Sequence, residues 1–207
     1  DITVAQAGIR GGKTHVGAFK QIIRAIHDPC ELDETHLVGS PTYPMSRVPI
    51  DKIFKLLYDK SIFPICPLIK FHRSTRTFAL HSMGGDITRI TVVSLHDPDR
   101  IRGIKAKSAW LDEGAYISRE AFDIVQGRLA DCNGPLDITT TPAGYNFIHD
   151  LYEKAIEERD EGIPLNQRTH RFIHWASFEN TFVKEAGFKR LMAGFDARTY
   201  AQEVKAL

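Results

Sequence analysis

The chain has 207 residues, 43% of them hydrophobic, which suits one α/β domain, or one domain with a small appendage, around a sizeable core. With 27 basic and 26 acidic side chains the formal net charge is +1, so no global basic field marks a nucleic-acid partner and any such contact is local. No apolar run approaches membrane-spanning length, no secretory leader is visible, and Cys30, Cys66 and Cys132 fit neither a disulfide framework nor a CxxC metal site, which points to a reducing compartment.

The chain opens on Asp1 with no initiator Met, so the parent protein is expected to continue upstream of Asp1 and downstream of Leu207. Ile2-Thr3-Val4-Ala5 reads as a short buried strand. Ala7-Gly8-Ile9-Arg10-Gly11-Gly12-Lys13-Thr14 follows at once and fits the phosphate-binding loop, a small residue, any four, then Gly-Lys-Thr. Residues 13–26 then carry Val16, Phe19, Ile22, Ile23 and Ile26 at helical spacing. The loop therefore lies between a strand and a helix, where backbone N–H groups can cradle phosphates. Gly8, Gly11 and Gly12 permit positive φ and close approach to an anion, with Ile9 and Arg10 between them. Lys13 suits phosphate oxygens, the Thr14 hydroxyl suits Mg²⁺, and Arg10 is placed to sense a γ-phosphate.

Asp28-Pro29 ends this helix, and His36-Leu37-Val38-Gly39-Ser40 reads as a second strand stopped by Pro41-Thr42-Tyr43-Pro44. Residues 50–58 form an amphipathic helix through Ile50, Ile53, Phe54, Leu57 and Tyr58. From residue 69 to 95 the texture is β, with Thr77-Phe78-Ala79-Leu80 and residues 88–93 flanking Gly84-Gly85-Asp86, a hairpin inserted between the units of a parallel sheet. Its Lys70, Phe71, His72, Arg73 and Arg76 suit either DNA phosphate or a solvated hairpin face.

Ser108-Ala109-Trp110-Leu111 is a short strand, diluted at its start by Lys107, that runs into Asp112-Glu113-Gly114. Asp112, at the carboxyl end, suits the Mg²⁺ shell opposite Thr14, and Glu113 points elsewhere and suits polarising the attacking water. Taken alone, an Asp-Glu pair also suits a solvated helix start. Just upstream, Arg102 suits the charge that builds on a phosphoryl transition state, or is an ordinary exposed loop arginine. Ser118 caps a helix over residues 119–130. A strand over 136–141 ends in Thr139-Thr140-Thr141-Pro142, hydroxyls placed to report the γ-phosphate or simply a β-branched strand end. A charged helix over 147–159, a strand over 170–176 and helices over 183–192 and 197–205 close the chain. Alternating strands and helices imply a doubly wound, mainly parallel sheet. His170 and His174 sit on a strand, where a four-residue spacing does not suit zinc.

Together AGIRGGKT, SPTYP, RIRG before AWLDEGA, ITTTPAGYNFIHDLYEKA and the closing SFENTFV…DARTYAQEVKAL resemble the large terminase subunit of tailed bacteriophages. The likeness covers nearly the whole chain, and the motif order carries it. It implies a RecA-like P-loop NTPase of the class with an added catalytic glutamate. That fold has a mainly parallel central sheet flanked by helices, the inserted hairpin and a small C-terminal helical lid. The core would span residues 1–165 and the lid and linker 166–207. The implied function is the ATPase of a viral DNA-packaging motor, binding ATP through Gly8 to Thr14 and Mg²⁺ through Thr14 and Asp112. In that assignment Lys13 and Glu113 are catalytic, Arg102 is an arginine finger to a neighbouring subunit, and Thr139, Thr140 and Thr141 couple hydrolysis to motion. Implied partners are double-stranded DNA, a portal protein, a small terminase subunit and further copies in a ring, commonly of five. The implied place is the host cytoplasm at the procapsid, without a membrane.

Two departures bear on this likeness. Family members carry an adenine-contacting segment before the loop, and almost nothing precedes Ile2, so weak base affinity is expected. The family's nuclease domain would begin after residues 200–203, so no nuclease activity is expected from these residues. The alternative is a helicase-like or other nucleic-acid-stimulated P-loop ATPase; a helicase of the two-core type would need a second RecA-like half, for which 207 residues leave no room. A nucleotide switch without turnover is a third reading, against which Glu113 argues.

Overall fold

The computed structural model describes residues 1–183 and 185–207. In chain order its elements are β1 (Ile2–Ala7), α1 (Lys13–His27), β2 (Glu34–Ser40), α2 (Arg47–Leu57), β3 (Leu68–His72), β4 (Thr77–His81) and β5 (Ile87–Ser94). There follow β6 (Lys105–Asp112), α3 (Arg119–Leu129), β7 (Leu136–Thr140), α4 (Phe147–Asp160), β8 (His170–Trp175), α5 (Glu185–Met192) and α6 (Ala197–Glu203). Two compact units result. One comprises Asp1–Lys13, Glu113–Tyr116 and Ile138–Leu207, the other Thr14–Asp112 and Ile117–Asp137.

In the unit containing Thr14–Asp112 the strands run in the order β3-β4-β5-β2-β6. Every residue of β2 is buried, as expected of a strand covered on both faces, and it pairs parallel with β5 and with β6. The core gathers Ile22, Ala25 and Ile26 of α1, Ile53, Leu56 and Leu57 of α2, Phe78 and Leu80 of β4, and Trp110 of β6. Pro49 sits in the first turn of α2, where its missing N–H costs nothing. Phe54, Phe71 and Phe78 then stack α2 onto the β3–β4 pair, with ring centroids 4.5 to 5.0 Å apart. The expected hairpin is β4–β5, turned through Gly85 at φ +90°. Its second strand also pairs parallel with β2, and β3 adds a third antiparallel strand.

The apolar spacing of α1 predicts Val16 and Phe19 on its buried face, yet they are 49% and 40% exposed. The buried face runs instead through Gly17, Ala18, Gln21, Ile22, Ala25 and Ile26. The reason is steric, because a Cβ on Gly17 would lie 2.3 Å from Cε2 of the fully buried Trp110. Small residues let α1 lie directly on the indole. The polar start of β6 is also accommodated, since Lys105 pairs with Glu34 at 3.0 Å and Lys107 with Asp28 at 3.3 Å before the strand sinks into the core. Ser118 caps α3 as expected, accepting a bond from the N–H of Ala121, an arrangement that typically stabilises a helix by about 1 kcal/mol.

In the other unit β8 pairs parallel with β1, placing Val4 beside Phe172, and α4 packs Tyr152 edge-on against Phe172 at 5.0 Å. Asn146 caps α4 through the N–H of Ile148, and Gly162 at φ +76° follows its end. β7 is buried throughout; Leu136 and Asp137 belong to the first unit described and Ile138–Thr140 to this one. Asp196 caps α6 through the N–H of Thr199. Of the helix expected over 183–192, Lys184 lies outside the described residues. Among the described residues no helix is long and apolar enough to cross a membrane, and the three cysteines are free thiols.

Candidate active site

Residues 7–14 lie where the strand–loop–helix pattern puts them, between the last residue of β1 and the first turn of α1. Their backbone takes unusual conformations, with Arg10 at φ +59° and Gly12 at φ +89°. Gly11 bonds back to the carbonyl of Gly8 at 2.9 Å, and a Cβ there would lie 2.8 Å from that same oxygen, so only glycine fits this turn. The N–H groups of Gly12, Lys13 and Thr14 have no hydrogen-bond partner among the described residues, leaving the first helical turn with unsatisfied donors.

Two contacts stand out here, made by consecutive residues at each end. The Thr14 hydroxyl donates to Oδ1 of Asp112 at 3.1 Å, and Asp112 is 3% exposed at the end of β6. Nζ of Lys13 lies 3.5 Å from Oε1 of Glu113, and the lysine side chain is only 8% exposed. Glu113 is itself left-handed at φ +54°, an uncommon and costly state for a non-glycine residue that tends to occur at functional sites. A hydroxyl and a carboxylate are hard oxygen donors that fit Mg²⁺, an ion that usually takes one or two protein carboxylates and keeps several waters. Among the described residues no group of three or more His, Cys, Asp or Glu gathers to hold a metal by side chains alone.

The three threonines at the end of β7 are buried. The Thr140 hydroxyl accepts from the N–H of Ala115 at 3.0 Å and donates to the carbonyl of Thr141 at 2.9 Å. A Cβ on Gly114 would meet Ile138 at 2.3 Å, so β7 lies directly against the turn that follows Glu113.

Arg102 stands on the surface, its Nε 2.6 Å from Oδ1 of Asp99, a bond that raises its already high pKa. Its carbonyl accepts a hydrogen bond from Arg128, and it borders a cavity of about 540 Å³ together with Arg119, Glu120 and Asp123. The Arg10 side chain is exposed. Arg76 leaves the cationic cluster of the hairpin, stacking on Tyr43 at 3.2 Å and bonding Ser46 at 2.6 Å. His170 bonds Glu158 and His174 bonds the carbonyls of Lys205 and Ala206.

Three residues close to the loop escape local pattern reading. Trp175 Nε1 donates to the carbonyl of Gly11, the Ser177 hydroxyl to that of Ile9 and Asn180 Nδ2 to that of Arg10, each at 2.7 Å. The only advance signal is the stretch SFENTFV, which takes part in the family likeness without a role of its own.

A mainly parallel α/β sheet flanked by helices, with the loop leaving its strand for α1, defines the class as RecA-like. The chain belongs to the family described as terminase large subunit, T4likevirus-type, N-terminal, whose model matches residues 4–206. The Thermus phage P74-26 large terminase ATPase domain superposes with a TM-score of 0.75 at 18% identity, over 99% of this chain and 87% of that one. A large terminase from a thermophilic bacteriophage gives 0.78 at 19%, over 100% of this chain and 48% of that one, and it has also been solved with ADP and with ATP-γ-S. The HK97 bacteriophage large terminase gives 0.67 at 14%, over 100% and 46%. The chain thus spans about half the length of these last two proteins. No match is found among curated proteins.

Proposed function

We propose that this chain is a Mg²⁺-dependent ATP hydrolase that drives double-stranded DNA into a viral procapsid. The observation that carries the reading is the pair of contacts made by consecutive residues, Thr14 to Asp112 at 3.1 Å and Lys13 to Glu113 at 3.5 Å. Family membership supports it, as do the nucleotide complexes of the large terminase from the thermophilic phage.

In this reading the N–H groups of Gly12, Lys13 and Thr14 and the Lys13 ammonium take the phosphate oxygens. Thr14 and Asp112 are the residues that would hold Mg²⁺, which would supply positive charge to offset that of the phosphoryl groups. A triphosphate competes for Lys13 and draws it from Glu113, whose carboxylate then orients the attacking water and accepts its proton. Thr140, bonded to the turn after Glu113, carries the change into β7, with Thr139 and Thr141 as neighbours in that strand end. Exposed Arg102 serves a neighbouring subunit's ATP in a ring of copies, five being the expected number. The portal protein and small terminase subunit are the other expected partners, at the procapsid in the host cytoplasm.

The test measures phosphate release from ATP with Mg²⁺ and with excess chelator, alongside ATP binding. Glu113→Gln is expected to retain binding and lose at least about a hundredfold in turnover, the usual contribution of a positioned base. Turnover unchanged in Glu113→Gln, or undiminished by chelator, would overturn the assignment.

A further inference from the structure

The carbonyls of Ile9, Arg10 and Gly11 are successive, and each accepts a hydrogen bond from a different side chain within six residues of one strap, Trp175, Ser177 and Asn180. Main-chain bonds also hold the loop, from the N–H of Gly8 to the carbonyl of Trp175 in the strap at 3.3 Å and from that of Ile9 to the carbonyl of Glu203, the last residue of α6, at 2.6 Å. The fit leaves no slack, since a Cβ on Gly8 would lie 2.3 Å from the Ser177 hydroxyl and one on Gly11 would lie 3.0 Å from Trp175 Nε1.

The direction of these bonds matters more than their number. A trans peptide is planar, and its C=O and N–H point opposite ways. Holding the carbonyls of Ile9, Arg10 and Gly11 to the strap therefore fixes the N–H groups of Arg10, Gly11 and Gly12 away from it. The N–H of Gly11 closes the turn onto Gly8, while those of Arg10 and Gly12 have no hydrogen-bond partner among the described residues. A carbonyl swung inward would place negative charge where an anion binds, whereas aligned N–H groups make an anion-binding nest.

We propose that Trp175, Ser177 and Asn180 are positioning residues that lock the phosphate loop in its anion-accepting conformation, each by one carbonyl. This rests on the loop's proposed role as the ATP phosphate site. None of the three need touch nucleotide.

The experiment titrates the full chain with ATP and Mg²⁺ and follows KM, kcat and Tm for Asn180→Ala, Ser177→Ala and Trp175→Phe. Asn180→Ala removes the donor without adding a charge at the loop, and the site is half-exposed, so it reports even where a core variant folds poorly. Each loss is expected to raise KM by about fivefold to tenfold, as one hydrogen bond is worth, with kcat within about threefold of the parent. A merely structural strap would lower Tm and the active fraction while leaving KM in place, and that result overturns the proposal, as does an unchanged KM at unchanged Tm. Lys13→Ala is the separating control. If it binds ATP like the parent, the phosphate-site reading itself fails; if it loses ATP while the strap variants bind normally, only the strap's role fails.

Discussion

Replacing Gly17 by alanine sets two effects of opposite sign against each other. Helix propensity favours alanine over glycine by about 1 kcal/mol in a helix interior. Packing opposes it, because the new Cβ would lie 2.3, 2.4 and 2.6 Å from Cε2, Nε1 and Cζ2 of Trp110. Carbon atoms rest about 3.5–4.0 Å apart, so the overlap exceeds about 1 Å at three atoms of one rigid ring. The ring is fully buried, and α1 must therefore lift from β6. Overpacking typically costs about 1–3 kcal/mol, and three simultaneous overlaps put this site at or beyond the upper end. A net loss of about 2 kcal/mol follows, or a fall in Tm of roughly 4–8 °C for a chain of this size. Urea and thermal unfolding measure it directly. Trp110→Phe removes the offending half of the indole, so the double variant should be more stable than the two single losses added together. Lifting α1 also stretches the Thr14–Asp112 contact, so turnover should fall more than ATP binding. A Gly17→Ala chain as stable as its parent, or more stable, would refute the reasoning.

Three further outcomes are expected. His36 is fully buried, with Nδ1 2.8 Å from the Ser108 hydroxyl and Nε2 2.9 Å from the carbonyl of Asp28, and burial, only partly countered by Asp28, pushes its pKa down from 6.5 to about 4. The unfolded chain takes up this proton first, so stability should fall as pH drops from about 6.5 towards 4, by up to about 3 kcal/mol. An NMR titration of the His36 ring near its ordinary value would contradict this. Asp137 bonds Lys20 at 2.7 Å and Arg24 at 2.5 Å, fastening α1 to the first residues of β7. Asp137→Asn should cost about 2 kcal/mol in urea unfolding, below the full penalty of a buried pair because Lys20 reaches solvent; a change under about 0.5 kcal/mol would count against the tie. For Arg102, specific ATPase activity should climb with protein concentration and the climb should vanish in Arg102→Ala. A flat profile in the parent chain would remove the case for action in a neighbouring site.

Local signals carried much of the fold. Gly-Lys-Thr after an apolar tetrapeptide located β1, the loop and α1, and Ser118 marked the start of α3 through its side-chain oxygen. The face of α1 was misjudged because spacing rules weigh large apolar residues, while contact with Trp110 demands glycine and alanine. Strand β6 looked weak because Lys107 and Ser108 are polar, yet Lys107 pairs with Asp28 and Ser108 with His36, partners about 70 or more residues away in sequence. The left-handed turn at Glu113 had no glycine to announce it. The donors of the strap sit more than 160 residues from the carbonyls they hold, beyond any periodic pattern.

The cationic hairpin has a consequence of a different kind. β3 is the terminal strand in the order of its sheet, so one side of Leu68–His72 carries backbone groups with no neighbouring strand among the described residues. Such a border is a template on which another copy can extend the sheet. Lys70 and His72 are exposed along it, and Arg73 follows at its end. Two such borders brought together would set lysine near lysine, and the repulsion disfavours a continuous sheet between molecules. These charges guard the chain against zipping onto itself.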